Sequence, residues 1–150
     1  MTIVVTGVKE LKQKLKSLGS SMEEAVFGGV ILTANEIRTD AAKSIQKQSP
    51  GSQVKRSRQG GGTYTHTAAA KGGAPNTDTG KLVASIAVEP NRGGVFALVG
   101  SNLDYAGFLE FGTSKMDARP WLEPALRNNA DNLQRNISAS ADALIQRESK

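Results

Sequence analysis

The chain has 150 residues, a formal net charge of +5 and no cysteine. This length favours a single domain over residues 1–150 that buries roughly two thirds of its unfolded surface. The composition excludes disulfides, thiolate catalysis and cysteine-ligated zinc, and no apolar run is long enough to span a membrane. Because only 38% of the residues are hydrophobic and 5% aromatic, we expect a thin core that gains stability from neighbouring subunits.

The N-terminal region predicts a strand followed by a short helix. Residues 1–10 lack a basic region followed by an apolar stretch and a cleavage site, so we expect no export signal and a cytoplasmic site of synthesis. The β-branched run at residues 3–5 predicts the strand. Leucines at helical spacing in residues 11–18 predict an amphipathic helix that ends at Gly19.

A second, long helix is predicted over residues 21–48. Paired serines stand three residues ahead of paired glutamates near its start, which is the spacing of a capping box. Apolar residues then recur every three or four positions until Pro50 ends the helix. Gly28 and Gly29 weaken it by about 1 kcal/mol each relative to alanine, so we expect another backbone to approach closely there.

Residues 50–77 are glycine-rich and basic, and they show no periodicity. We therefore predict an extended loop, functional in character, that contacts a neighbouring subunit. The alternative is a nucleic-acid-binding accessory protein that uses residues 52–71, with cations neutralising phosphates and a tyrosine stacking on a base. Its candidate contact residues are Lys55, Arg56, Arg58, Tyr64 and Lys71.

The second half of the chain predicts a β-hairpin and two further helices. The segments SIAVEP and VFALVG alternate around turn residues and predict antiparallel strands over residues 86–100. A short helix at residues 103–112 is expected to end at Gly112, and one face of residues 122–144 predicts a C-terminal helix. The fold class is therefore α+β: a small antiparallel sheet, joined by the N-terminal strand, packs against a long N-terminal helix and a C-terminal helix.

The chain offers few groups for catalysis. Its only histidine, His66, lies in the basic loop without a second histidine or a carboxylate at ligand spacing. The nearest approach to the acidic cluster of a two-metal nuclease is formed by Asp104, Glu110, Asp117 and Glu123. Helix capping, or salt bridges to Lys115 and Arg119, explains these carboxylates more simply, so we expect no enzyme, no cofactor and no metal site.

Two stretches carry a resemblance to a known family. YAGFLEFGT followed by ARPWLEPAL resembles a pattern in tailed-bacteriophage minor tail components, the tail-completion or head–tail joining proteins, and DTGKLVASI is similar to a group upstream of it. Trp121 stands where phenylalanine is usual, and the basic segment is longer than the family pattern requires. The matched positions that we take as candidate interface residues are Thr79, Gly80, Leu82, Ser85, Tyr105, Glu110, Phe111, Gly112, Thr113, Arg119, Pro120, Trp121 and Pro124.

Physical chemistry suggests a role for several of the matched residues. Gly112 permits a sharp reversal, Glu110 and Arg119 can form a charge-assisted pair, and three aromatic side chains supply apolar area. These aromatics are Phe108, Phe111 and Trp121. The motif either holds a corner of its own domain together or contacts a neighbour, and both roles can coexist.

The resemblance also implies a function. Such proteins are structural parts of the virion neck at the top of the tail, assembled in the host cytoplasm without a membrane. They form homo-oligomeric rings, here expected as a hexamer, that complete the tail and join it to the head. The implied partners are further copies of the chain, a connector or stopper protein and the tail tube protein, with DNA passage through the lumen.

Overall fold

The computed structural model describes the backbone of residues 8–148 and the side chains of residues 16–147. The strand predicted at residues 3–5 lies outside this range. The elements are α1 (Val8–Gln46), β1 (Gly51–Ser57), β2 (Thr63–Ala69), α2 (Lys81–Ser85), β3 (Ile86–Asn91), β4 (Phe96–Ser101), α3 (Asp104–Phe111), α4 (Glu123–Asn129) and α5 (Asn132–Glu148). This arrangement confirms the α+β class.

The N-terminal part is one continuous helix of 39 residues, where the sequence predicts two. Gly19 lies inside α1 and does not adopt the positive φ with which a glycine ends a helix. The Ser20 hydroxyl donates to the Ser17 carbonyl at 2.8 Å, within the helix, and so does not cap a new N-terminus. The capping-box pattern is therefore not used as a helix start.

The described strands form two separate two-stranded antiparallel sheets. The predicted hairpin is present as β3 and β4, paired from Ile86–Ser101 to Asn91–Phe96. The second sheet, β1 and β2, lies in the segment predicted to be a loop without regular structure. All seven residues of β1 are exposed, so no alternation of apolar and polar side chains marks it in the sequence.

The core lies along one face of α1. Ala41 and Ile45 are almost fully buried, and Trp121 is only 3% exposed. The cluster consists of Ile37, Ala41, Ile45, Leu82, Ile86, Ala106, Trp121 and Ala125. The Arg38 Nε donates to the carbonyl of Ile86 at 2.9 Å, which fixes β3 on this helix. The core is therefore small and is built where α1 meets the segment from α2 to α4.

The C-terminal helix predicted as one element is divided into α4 and α5. Asparagine side chains hold this region to α1: Asn129 donates to Asp40 at 2.9 Å, and Asn132 and Asn136 donate to Glu36 at 2.9 and 3.1 Å. Asparagine side chains thus make much of the contact between α1 and the C-terminal helices, where the helical spacing of apolar residues predicts apolar packing. Among the described helices, none is long and apolar enough to cross a membrane.

The two adjacent glycines of α1 differ in their surroundings, which gives a matched pair of substitutions. A Cβ at Gly29 would lie 2.6 Å from the Cα of Ile137, whereas one at Gly28 would meet only the Ser140 hydroxyl at 3.8 Å. We expect Gly29→Ala to lower the free energy of unfolding by about 2 kcal/mol through overpacking. Gly28→Ala should raise it by up to about 1 kcal/mol through helix propensity. Urea denaturation measures both, and equal effects would contradict this helix contact.

Candidate interaction site

The carboxylate of Glu110 holds together the stretch of residues 105–126, called the motif below. Its Oε2 accepts hydrogen bonds from the backbone N–H groups of Trp121 and Leu122 at 2.8 and 3.0 Å. Its Oε1 accepts from the N–H of Glu123 at 2.8 Å. Three successive amides at the start of α4 are therefore satisfied by one side chain near the end of α3. The predicted pair between Glu110 and Arg119 is not formed, because these amides occupy the carboxylate.

Arg119 instead joins the motif to the β1–β2 sheet. Its Nε donates to the carbonyl of Ala69 at 2.9 Å, and its backbone N–H donates to the carbonyl of Leu109 at 2.7 Å. Gly112 has φ of 75°, and a Cβ there would lie 2.8 Å from the backbone N of Ala118. α3 ends at this glycine as predicted, but with ψ of −176°, which is not the left-handed helical conformation. A turn follows, in which the N–H of Thr113 donates to the carbonyl of Met116 at 2.8 Å.

The motif's aromatic residues separate into one buried and several exposed side chains. Trp121 is buried, and its Nε1 donates to the carbonyl of Ala106 at 3.4 Å. Phe111 is 84% exposed and Phe108 57% exposed, and Tyr105 is exposed as well. Pro120 is half-buried and Pro124 lies exposed in the first turn of α4. The polar residues and Trp121 thus hold a corner of the domain, while the phenylalanines extend from it.

The upstream matched group forms the short helix α2 and its entry. Gly80 precedes α2 with φ of 74°, and exposed Thr79 lies just before it. Leu82 is buried in the core. The Ser85 hydroxyl is 2.7 Å from that of Ser101, which joins α2 to the end of β4. Leu82 and Ser85 therefore attach α2 to the core and to β4.

The β1–β2 hairpin forms an arm, defined here as residues 51–69. Asn76 fixes its base, because the Asn76 side chain bonds to the backbone N–H and carbonyl of Ser49 and to the carbonyl of Thr67 at 2.6, 2.8 and 2.9 Å. Three glycines at positive φ form the tip, at residues 60–62. A glycine-rich turn with open space around it lets the strands reverse without side-chain strain.

Asp78 fastens the side of the arm. Its carboxylate accepts from the Tyr64 hydroxyl at 2.7 Å, pairs with the Arg56 guanidinium at 3.1 Å, and lies 3.8 Å from the His66 Nδ1. His66 therefore belongs to this cluster with Asp78 and has a structural contact. The hydrogen bond to Asp78 is the main cause that raises the pKa of Tyr64 above its usual value. The folded protein favours the neutral hydroxyl of Tyr64. The hydrogen bond therefore contributes to folding stability below about pH 10, and this contribution is lost as the pH rises through the raised pKa.

Half of the predicted contact cations are engaged by carboxylates. Arg56 pairs with Asp78, and Lys71 pairs with Asp117 at 3.1 Å. The Arg58 guanidinium lies 5.7 Å from the ring centroid of Tyr64. Among the side chains that the structure describes, Lys55 and Arg58 have no carboxylate partner within salt-bridge distance. Of the four predicted contact cations, two therefore remain without a carboxylate partner in the described part of the chain and can bind an external anion.

The four carboxylates considered as an acidic cluster have separate roles. Glu110 caps amides, Asp117 pairs with Lys71, and Glu123 pairs with Arg127 at 2.6 Å. Asp104 lies in the first turn of α3. The salt-bridge partners of Asp117 and Glu123 are thus Lys71 and Arg127, and not the predicted Lys115 and Arg119. Within the described residues, no group of three or more metal-binding side chains is assembled.

Removal of the Glu110 carboxylate should destabilise the domain. Glu110→Ala leaves three amides without their acceptor, so we expect the free energy of unfolding to fall by about 2 to 3 kcal/mol. Glu123→Ala is the matched control, because it removes an exposed pair with Arg127 and should cost less than about 1 kcal/mol. Urea denaturation compares them. Equal losses would refute the role given to Glu110.

The arm should be released when Asp78 is removed. In Asp78→Ala both Tyr64 and Arg56 lose their partner, so the arm opens more often and trypsin should cleave after Lys55, Arg56 and Arg58 roughly tenfold faster. Mass spectrometry of the fragments measures the rate at each bond. Asp142→Ala, an exposed carboxylate of α5, serves as the control. Unchanged cleavage of the arm in Asp78→Ala would contradict this fastening.

Comparison with known proteins is informative at the family level. The model of a family described as "Bacteriophage HK97-gp10, putative tail-component" matches residues 8–112, which is more than two thirds of the chain. The match includes α2, the arm and α3, and ends at Gly112 of the motif. Searches of curated proteins and of solved structures each gave no match. The chain belongs to this HK97-gp10-like family of bacteriophage tail components.

Proposed function

We propose that this protein forms a ring at the head–tail junction of a long-tailed phage, where it completes the tail and joins it to the head connector. Membership in a phage tail-component family supports a structural role in the virion. The observation that carries the ring is the exposure of large apolar side chains by the isolated subunit. Phe111, Leu98 and Leu126 are 84%, 58% and 53% exposed.

Such exposure favours assembly over a solitary subunit. Single apolar side chains on a surface are ordinary, but grouped ones rimmed by polar residues mark protein interfaces. Phe108 and Phe111 lie on one short helix, and Leu98 and Leu126 face a common groove. A ring built by rotation needs two different surfaces on each subunit, and this chain has two apolar ones.

The arm supplies a third contact. Both faces of β1 are exposed, and each sheet in the described part of the chain has only two strands, so backbone donors and acceptors remain open along the outer edge of β1. An isolated two-strand hairpin is marginally stable in water, which favours an arm that docks on a neighbour. The proposed neighbours are an adjacent copy, a connector or stopper protein, or the tail tube protein.

Nucleic-acid binding by residues 52–71 is the alternative. It is favoured by Lys55 and Arg58, which have no carboxylate partner among the described side chains, and by the closeness of Arg58 to Tyr64. Two free cations give only a shallow salt dependence, with a slope near −2 in log binding constant against log salt. Within a ring, the same two side chains can face DNA in the lumen.

The arm can be tested without touching the core. Replacement of residues 54–66 by Asn-Gly retains Gln53 and Thr67, which face each other in the register, and the buried Ala69. We expect the variant to fold with nearly unchanged stability. Particles made with it should accumulate as unjoined heads and tails in electron micrographs, as should particles made without the protein.

The control is a full-length variant that carries Lys55→Ala and Arg58→Ala. It keeps the arm and should join heads to tails if the arm binds protein. Loss of duplex DNA binding together with unjoined particles in this variant would instead favour the nucleic-acid alternative. Normal virions assembled without any copy of the chain would refute the proposed function.

A further inference from the structure

An apolar groove crosses the domain between α1, β4 and the helices α4 and α5. Its volume is about 560 Å³, and its walls include Ile37, Phe96, Leu98, Leu126 and Leu133. None of its described lining residues is charged. The groove is therefore built for an uncharged, apolar occupant.

The polar atoms of the groove are already used within the subunit. The Thr33 hydroxyl donates to the Gly29 carbonyl at 2.9 Å and accepts from Asn136 at 3.0 Å. The Asn129 amide donates to Asp40 and to Ala125, and its oxygen accepts from Asn132. A ligand in the groove thus finds no free donor on these two side chains, and apolar contact must supply most of its affinity.

The exposed leucines of the groove indicate that another molecule completes it. Leu126 and Leu133 belong to the C-terminal apolar face that the sequence pattern predicts to be buried, yet they are exposed in the subunit.

The same chain carries an apolar protrusion of matching chemistry, the exposed face of α3. Phe108 and Phe111 are 57% and 84% exposed and together offer on the order of 300 Å² of aromatic surface. A stable interface buries about 800 Å² on each partner, so these two rings supply more than a third of one side. Their charged neighbours on the helix are Asp104 at its start and Glu110, which is engaged by backbone amides.

α3 cannot fill its own groove. Its inner face is fixed in the core by buried Ala106, whose carbonyl accepts from the Trp121 indole, and by Glu110 at the start of α4. The phenylalanines therefore point away from the domain that carries them. An occupant from a second copy meets no such restriction.

We propose that Phe108 and Phe111 of one copy insert into the groove beside Leu98 and Leu126 of the next. This inference rests on the proposed ring, because a contact between two different surfaces propagates from copy to copy and closes by rotation. A contact of α3 with α3 would stop at a dimer. The groove and the α3 protrusion thus form the two halves of one repeated, head-to-tail interface.

Cross-linking tests the pairing directly, because the natural chain has no cysteine. Gly107→Cys places a thiol on the exposed face of α3, where a Cβ meets no other atom, and Ala97→Cys places one in the groove. With a short thiol-specific cross-linker on assembled tails, the double variant should give a ladder of covalent oligomers up to the size of the ring. Each single variant should remain monomeric on a denaturing gel.

Two further substitutions show whether the phenylalanines make the contact. Phe111→Asp added to the double variant should lower the yield of cross-linked oligomers at least tenfold, since it places a charge in an apolar groove. Ile145→Asp, which charges another exposed apolar residue, in α5 outside the groove, should leave the ladder unchanged. Far-ultraviolet circular dichroism confirms that each variant is folded.

The outcomes separate the two proposals. A ladder that survives Phe111→Asp, or dimers from Gly107→Cys alone, would overturn the α3-to-groove contact while leaving the ring intact. A ring visible in micrographs without any cross-linked product would overturn it as well. Tails that contain no ring of this chain would refute the proposed function together with the contact.

Discussion

The structure depends on one carboxylate that organises a change of chain direction. Glu110 accepts from three successive amides at the start of α4, and this bond set places Trp121 in the core against the carbonyl of Ala106. Because α3 is held by its inner face, its phenylalanines point outward. The hydrogen bonds of Glu110 therefore also determine that Phe108 and Phe111 are exposed.

The contact between α1 and the C-terminal helices shows an unusual use of polar and apolar side chains. Asn129, Asn132 and Asn136 bond to carboxylates of α1, and Gly29 lets the backbone of α5 approach. Leu126 of α4 and Leu133 of α5 are left to line the groove. A chain that uses amides for its own packing and keeps leucines exposed fits the proposed ring, in which these leucines would be buried between copies.

The arm is attached to the domain by polar contacts. Asn76 holds its base and Asp78 holds its side. Arg119 donates from its side chain to the carbonyl of Ala69 and from its backbone to the carbonyl of Leu109 in α3. These contacts connect the arm to the segment that precedes α2 and, through Arg119, to α3. Part of the basic charge that the sequence displays is paired with carboxylates of the same chain, at Arg56 with Asp78 and at Lys71 with Asp117.

The sequence by itself determined the α+β class, the β3–β4 hairpin, the short helix before Gly112 and membership in the tail-component family. These follow from local signals: alternation, turn residues, helical spacing and motif order. It could not reveal the β1–β2 hairpin, because β1 is exposed on both faces and has no alternation. The continuity of α1 past Gly19, the amide acceptance by Glu110 and the exposure of Leu126 were decided by tertiary structure. Each depends on which partner lies nearby in space, and contacts between residues distant in sequence leave no local period in the chain.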